Sequence, residues 1–238
     1  TGKPSSTPSG NFKPEYSIGE EIGFRHHGDV VHFTIAAFNY DLRDRLVQGS
    51  QIVDGTSVGF AVNVGKQNAR GVEFEIGLVP YHGFSPYFSA QYLDASTKDD
   101  YPVRGEYLPT AGKKAVLSPE FIASGGISYD NGSFFASIDG NYVGKQFSTF
   151  MNDEILPAFL TGNISAGYRF SNVAFLKKPQ MQFNLTNFTD KKYLSGMQGV
   201  TSNALPTISR GGTTIAGSAP TYLIGGGIGA TFSISSAF

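Results

Sequence analysis

The last stretch of the chain, Tyr222-Leu223-Ile224-Gly225-Gly226-Gly227-Ile228-Gly229-Ala230-Thr231-Phe232-Ser233-Ile234-Ser235-Ser236-Ala237-Phe238, decides the fold. One set of alternate positions reads Tyr222, Ile224, Gly226, Ile228, Ala230, Phe232, Ile234, and the other Leu223, Gly225, Gly227, Gly229, Thr231, Ser233, Ser235. A period of two is the signature of a strand with an oily side and a small, polar side. The aromatic Phe238 falls in phase with the oily side, as in the closing strand of a bacterial outer-membrane β-barrel, where such a residue is an assembly signal read by the barrel assembly machinery.

Working back from that end, the same alternation recurs. Leu160 to Phe170 and Met181 to Thr186 form one pair around a turn near Ser171 to Pro179, and Phe121 to Tyr129 and Phe134 to Tyr142 form the plainest hairpin. Its Asp130-Asn131-Gly132 turn predicts the positive φ angles of a tight connection. Val72 to Leu78 and Phe84 to Tyr92 flank Tyr81 to Gly83; Tyr16 to Arg25 and Val31 to Ala37 flank His26 to Asp29, with Glu20 breaking the oily side of the first. Long polar stretches separate the pairs: Asp41 to Asn68, Lys98 to Lys114 and Ser195 to Ser218. The reading is roughly nine strands, each near the ten or so residues that a tilted strand needs to cross a bilayer. Short and long connections alternate, so short turns are expected to face the periplasm, with the carboxy terminus there too.

Composition agrees with this reading. The chain has 238 residues, 40% apolar and 16% charged, and no run approaches the length of a membrane-spanning helix. A barrel needs apolar residues only at every second position, so its average hydropathy stays unremarkable. Thirty glycines and 13% aromatics favour strands and turns. There is no cysteine, hence neither disulfide nor thiolate site. A formal charge of −1 offers nucleic acid no attraction. Thr1 to Gly10 is rich in Pro, Ser and Gly and reads as loop rather than signal peptide.

Nine is an odd count, whereas bacterial single-chain barrels have even numbers of strands. The chain is therefore expected to be a portion of a larger barrel, with residues 1–13 the remnant of an extracellular loop. Three local patterns sharpen this. Phe12-Lys13-Pro14-Glu15-Tyr16-Ser17 followed by Glu21-Ile22-Gly23, then Asn68-Ala69-Arg70-Gly71-Val72-Glu73-Phe74-Glu75, then Asn184-Leu185-Thr186-Asn187-Phe188-Thr189-Asp190-Lys191-Lys192-Tyr193, resemble in order and spacing the strand motifs of TonB-dependent outer-membrane receptors. The resemblance implies an all-β, transmembrane antiparallel barrel of 22 strands, of which residues 1–238 would be the carboxy-terminal nine or so. It also implies an amino-terminal plug, absent from this chain, and import of a scarce nutrient such as siderophore-bound iron. The implied partners are the plug and remaining strands, the TonB-ExbB-ExbD system acting through the plug, outer-membrane lipid and lipopolysaccharide, and a small nutrient ligand. No cofactor and no catalysis are expected.

Candidate site residues fall into two groups. Arg43, Arg45, Tyr101, Arg104, Tyr107 and Arg210 lie in the long loops and mix cations with aromatics that suit an anionic chelate or a sugar. Glu21, Arg25, Glu73, Glu75, Asp139 and Arg169 are expected to face the lumen and contact plug or channel water. Glu73 and Glu75 could instead be an acid and base pair, but residues two apart on a strand are only about 7 Å apart and a wet interior accounts for them. His26, His27 and His32 cluster in sequence yet lack further ligands, so no metal site is assigned. Gly225-Gly226-Gly227 is no phosphate loop, since no helix follows; it permits bending or close packing of a strand. The rival architectures are a self-contained small barrel acting as adhesin or enzyme, and a soluble all-β sandwich.

Overall fold

A computed structural model describes residues 13–53, 56–103, 105–172 and 175–237, by backbone alone over 47–62; Arg104 and Phe238, both singled out above, lie outside the described residues. Nine strands form one antiparallel sheet: β1 (Tyr16–His27), β2 (Val31–Arg43), β3 (Gln67–Leu78), β4 (Phe84–Thr97), β5 (Phe121–Asp130), β6 (Phe134–Val143), β7 (Phe159–Arg169), β8 (Lys177–Thr186) and β9 (Gly229–Ala237). Each pairs with its neighbours in sequence, so the sheet is an uninterrupted meander from β1 to β9. Among the described residues there is no helix, and β1 and β9 are not paired with each other.

The register assigns the strand residues to faces, apart from an irregularity at residues 177–180 of β8. On one face, rows run Phe24, Ile35, Phe74, Ala90, Ala123, Tyr142, Leu160, then Ile127, Ile138, Ile164, Leu185, Ala230, then Tyr129, Ala136, Ala166, Phe183, Phe232. On the other, Arg25, Thr34, Glu75, Ser89, Ser124, Asn141, Thr161 form one row, and Ser85, Ser128, Ser137, Ser165, Asn184, Thr231 another. Among the described residues nothing covers the apolar face, and Ile22 stands 78% exposed. An aqueous protein does not leave so large a continuous oily surface bare. Aromatics gather at its turn end, where Phe84 and Tyr129 lie 4.7 Å apart and Tyr168 and Phe170 4.8 Å apart. A second aromatic group, with Phe121 and Tyr142 6.0 Å apart, marks the far end.

The connections are short at one end and long at the other, as the alternation predicts. In the β5–β6 turn only Gly132 takes a positive φ, +93°, instead of both central residues; Asn131 contributes its side-chain oxygen, which accepts from the amides of Ser133 and Phe134 at 3.1 and 2.8 Å. The long connections carry hairpins of their own, Leu46–Val53 with Thr56–Asn63 and Tyr101–Val103 with Glu106–Leu108 among them. The polar stretch Asp41 to Asn68 is thus not plain loop: β2 continues to Arg43 and β3 starts at Gln67. Tyr222–Ile224 pairs with Leu194–Met197 inside the last long connection, pairing lapses at residues 225–228, and β9 starts only at Gly229. The alternation does not run through the glycine triplet as one strand.

Glu20, the break in the oily side of β1, has an explanation in the register. It stands opposite Asn39, which stands opposite Arg70, which stands opposite Asp94. This polar row lies one step beyond the last apolar row, Ile22, Ala37, Val72, Tyr92 and Phe121. Strands β1 to β4 therefore outrun their apolar band.

Candidate functional site

The long connections fold against one another. Their buried cluster, Val64, Tyr101, Leu108, Phe150, Met197, Val200 and Ile215, draws on all four connections, and Leu108 and Leu156 are wholly buried. Polar ties repeat the pattern. The Lys66 amide donates to Asp99 Oδ2 at 2.9 Å; Asn152 Oδ1 accepts from the Lys114 amide at 2.7 Å; Asp153 Oδ1 and Oδ2 accept from the amides of Ala204 and Leu205 at 2.9 to 3.0 Å. Glu106 accepts from Ser209 Oγ and Thr213 Oγ1, both at 2.9 Å. These four connections form a cap with its own water-excluding centre.

The structure places the loop candidates within this cap in different roles. Tyr101 is 4% exposed and stacks on Phe150 with ring centres 4.3 Å apart; burial pushes its hydroxyl up to about 12. Arg210 Nε donates to Asp100 Oδ2 at 2.7 Å across 110 residues of sequence, and that guanidinium holds the Asp100 carboxyl below the usual carboxylate range. Arg45 Nη1 donates to Glu15 Oε1 at 2.6 Å. Arg43 is exposed, donating to the Tyr16 hydroxyl at 3.2 Å with its guanidinium carbon 5.7 Å from that ring centre. Tyr107 is 55% exposed, and its carbonyl accepts from the Arg210 amide at 2.8 Å. The cap thus holds Tyr107 and Arg210 side by side through this backbone bond, while Tyr101 belongs to its buried centre.

Reading the sequence missed the groups that hold the cap. Burial opposes ionisation of Asp153, but hydrogen bonds from Thr149 Oγ1 and the Ala204 and Leu205 amides outweigh it and the net shift is downward. Tyr222 donates from its hydroxyl to Glu154 Oε1 at 2.8 Å. Lys114 Nζ sits 2.5 Å from Glu120 Oε1 and 3.0 Å from Asp94 Oδ1; these carboxylates, Glu120 foremost, push its pKa up. No local motif announces such partners, which come together only after the loops are closed.

The second candidate group shares one face. Glu21, Arg25, Glu73, Glu75, Asp139 and Arg169 all project from the polar side of the sheet, by the register above. The first four, with Gln91, Ser124 and Asn141, line a concavity of about 610 Å³. Gln91 Nε2 donates to Glu73 Oε1 at 2.6 Å, and Ser124 donates to Asn141 Oδ1. Asp139 accepts from Asn163 Nδ2 at 2.8 Å. Arg169 sits farther towards the turns, in an ion pair at 2.9 Å with Asp130 and over the Phe135 ring at 4.3 Å. His27 and His32 face each other across β1 and β2 with ring centres 5.9 Å apart, but among the described residues no group of three metal-ligating side chains converges.

A bare apolar face, a polar opposite face, short turns at one end and interlocked loops at the other define a segment of a membrane barrel. Residues 1–188 match the family model described as TonB dependent receptor-like, beta-barrel, and the chain belongs to that family. Among solved structures it is similar to the ferric yersiniabactin uptake receptor FyuA from Yersinia pestis, with a TM-score of 0.67 and 18% identity over 94% of this chain and 30% of that one. It is also similar to the copper transporter OprC, with a TM-score of 0.64 and 15% identity over 93% and 31%, and to BauA, the ferric preacinetobactin receptor from Acinetobacter baumannii, with 0.60 and 19% over 97% and 32%. No curated protein matches the chain. The chain spans less than a third of the length of these structures.

Proposed function

We propose that this chain forms the carboxy-terminal part of the barrel wall and loop cap of an outer-membrane active-transport receptor. In this reading the cap captures a scarce nutrient, of which siderophore-bound iron is the favoured class, and the complete receptor imports it with energy delivered through TonB to a plug. The observation that carries it is the two-faced meander of nine strands whose outer edges, β1 and β9, are unpaired among the described residues, in a member of the TonB-dependent receptor family. Free edges support completion of the ring by further strands of the same receptor, because unsatisfied backbone groups are not tolerated in lipid.

The apolar rows from Ile22, Val72 and Tyr92 down to Phe134, Tyr168 and Met181 face lipid, with aromatics at both margins as expected of a barrel girdle. The polar row through Glu20, Asn39, Arg70 and Asp94 stands above the bilayer, and the short turns and the end of β9 face the periplasm. Glu21, Arg25, Glu73 and Glu75 line the lumen where the plug sits, and Asp139 and Arg169 continue that wall. Arg43, Arg45, Tyr107 and Arg210 offer cations and an aromatic face to an anionic chelate, Arg210 exchanging Asp100 for ligand oxygen. The names borne by the similar structures, a copper transporter and receptors for ferric yersiniabactin and ferric preacinetobactin, favour a metal-bearing ligand.

The test is uptake by cells carrying the full-length receptor as their sole route, with ferric siderophores supplied one at a time. Accumulation that vanishes with TonB removed is the expected result. A receptor that sits in the outer membrane yet takes up and binds none of the chelates offered would sink the ligand assignment. A particle whose mass and strand count show a ring closed by this chain alone would sink the architecture.

A further inference from the structure

β8 and β9 are joined by the longest connection in the chain, residues 187–228. Such a loop cannot dictate register as a tight turn does. Alternation cannot dictate it fully either. Slipping β9 by one residue would move Ala230, Phe232 and Ile234 to the polar face, but slipping it by two keeps every oily residue on the oily face. The observed pairing, Phe183 opposite Phe232 and Gln182 opposite Ser233, therefore needs another cause.

The turn that begins at Asn187 supplies one. Asn187 is 5% exposed and takes φ of +46°; its Oδ1 accepts from the Lys191 amide at 3.0 Å, while Nδ2 donates to the carbonyls of Lys191 at 3.0 Å and Gly226 at 2.9 Å. Asp190 Oδ1 accepts from the Ile228 amide at 3.1 Å, and the Tyr193 carbonyl accepts from the Gly225 amide at 2.9 Å. The Tyr193 ring lies flush against Gly225, where an added Cβ would come within 2.3 Å of it, and rests on Phe159 with centres 4.3 Å apart. Phe188 caps the far side of the same strand top, over Gly162. Residues 225, 226 and 228 are thus pinned to 193, 187 and 190 immediately before Gly229 meets Thr186. No slack is left for a shift of two.

We propose that the Asn187–Tyr193 turn is the register lock of the carboxy-terminal strand pair, choosing among the slips that the hydrophobic pattern leaves open. This also accounts for the lapse in pairing at the glycine triplet: Gly225 must pass under Tyr193, so the strand cannot continue there.

Because these 238 residues contain no cysteine, introduced pairs are the only thiols they carry, and register can be read by disulfide trapping in the full-length receptor, with any cysteine elsewhere in it replaced, in intact outer membranes. The in-register pair is Gln182→Cys with Ser233→Cys; the slipped pairs are Gln182→Cys with Thr231→Cys or with Ser235→Cys. With the lock intact only the first should cross-link. Combining Asn187→Ala with Asp190→Ala should bring the slipped pairs to a comparable yield in barrels that still resist SDS before heating. Cross-linking confined to the in-register pair in such folded variants would overturn the proposal. If the double variant does not assemble, residues 187–228 are replaced by Asn-Gly, whose tight turn sets register by itself. Assembly restored by that replacement supports a register role, and continued failure overturns it.

Discussion

The sheet and the cap bury their apolar residues in opposite ways. In the sheet, Phe24, Ile138, Phe183 and Phe232 stand exposed, with no second layer behind them among the described residues. In the cap, Leu108, Phe150 and Leu156 are at most 2% exposed and the buried cluster is built from the loops alone. A soluble domain would show the reverse, with strands burying the core and loops exposed. The difference follows from solvent: strands in lipid need no protein to cover their oily face, whereas loops in water must make a core or remain unordered.

The largest effect that separates the two regions should come from the cap. Phe150→Ala removes the ring that stacks on Tyr101 and should cost about 3–5 kcal/mol of cap stability. Hydrogen exchange would show amides of 98–120 and 187–228 losing protection while those of β5 to β8 keep theirs. Loss across both regions would mean that cap and wall unfold as one. Next, Ile138→Arg in the middle of the apolar face should cost roughly 2–4 kcal/mol when the receptor is refolded into bilayers, and Ser137→Arg on the opposite face far less. Equal penalties would contradict the assignment of faces.

A smaller effect tests the polar ties. Asp153→Asn weakens a carboxylate that collects the amides of Ala204 and Leu205 and should cost about 1–3 kcal/mol. Acid should act in the same direction. Asp100 and Asp153 both have carboxyls held below their ordinary range, so their contribution is complete above the ordinary value of about 4 and is lost as pH falls beneath it. Protection in the cap should therefore drop below about pH 4 while the strand ladder, fixed by backbone bonds, persists. Smallest of all, Arg70→Ala in the exposed polar row should change stability by no more than about 0.5 kcal/mol, since a surface ion pair of this kind is worth little. A large loss there would place that row inside lipid instead of above it.

Strand number, order and the polar or apolar identity of each face were legible in sequence because they follow from a period of two. Where β2 and β3 extend was not, for a physical reason: past Ala37 and Val72 the oily-side positions Asn39, Asp41, Asn68 and Arg70 turn polar, and alternation by hydrophobicity stops although pairing continues. Tyr222–Phe238 looked like one strand since its period is unbroken; the interruption comes from Asn187, Asp190 and Tyr193, which are distant in sequence. Tyr101 and Arg210 looked like free loop groups, and the partners that engage them, Phe150 and Asp100, are likewise set by loop packing. Local pattern reveals the wall, and only tertiary closure reveals the cap.

The two free edges of the sheet carry a practical consequence. Among the described residues β1 and β9 each pair on one side only and not with each other, so each leaves a row of backbone donors and acceptors facing outward. Produced alone in water, this chain offers two complementary templates on every copy, so head-to-tail strand addition can propagate without a natural stop. Ribbons and inclusion bodies are the expected fate of such a polypeptide, and a synthetic strand matched to either edge would act as a chain terminator for that growth.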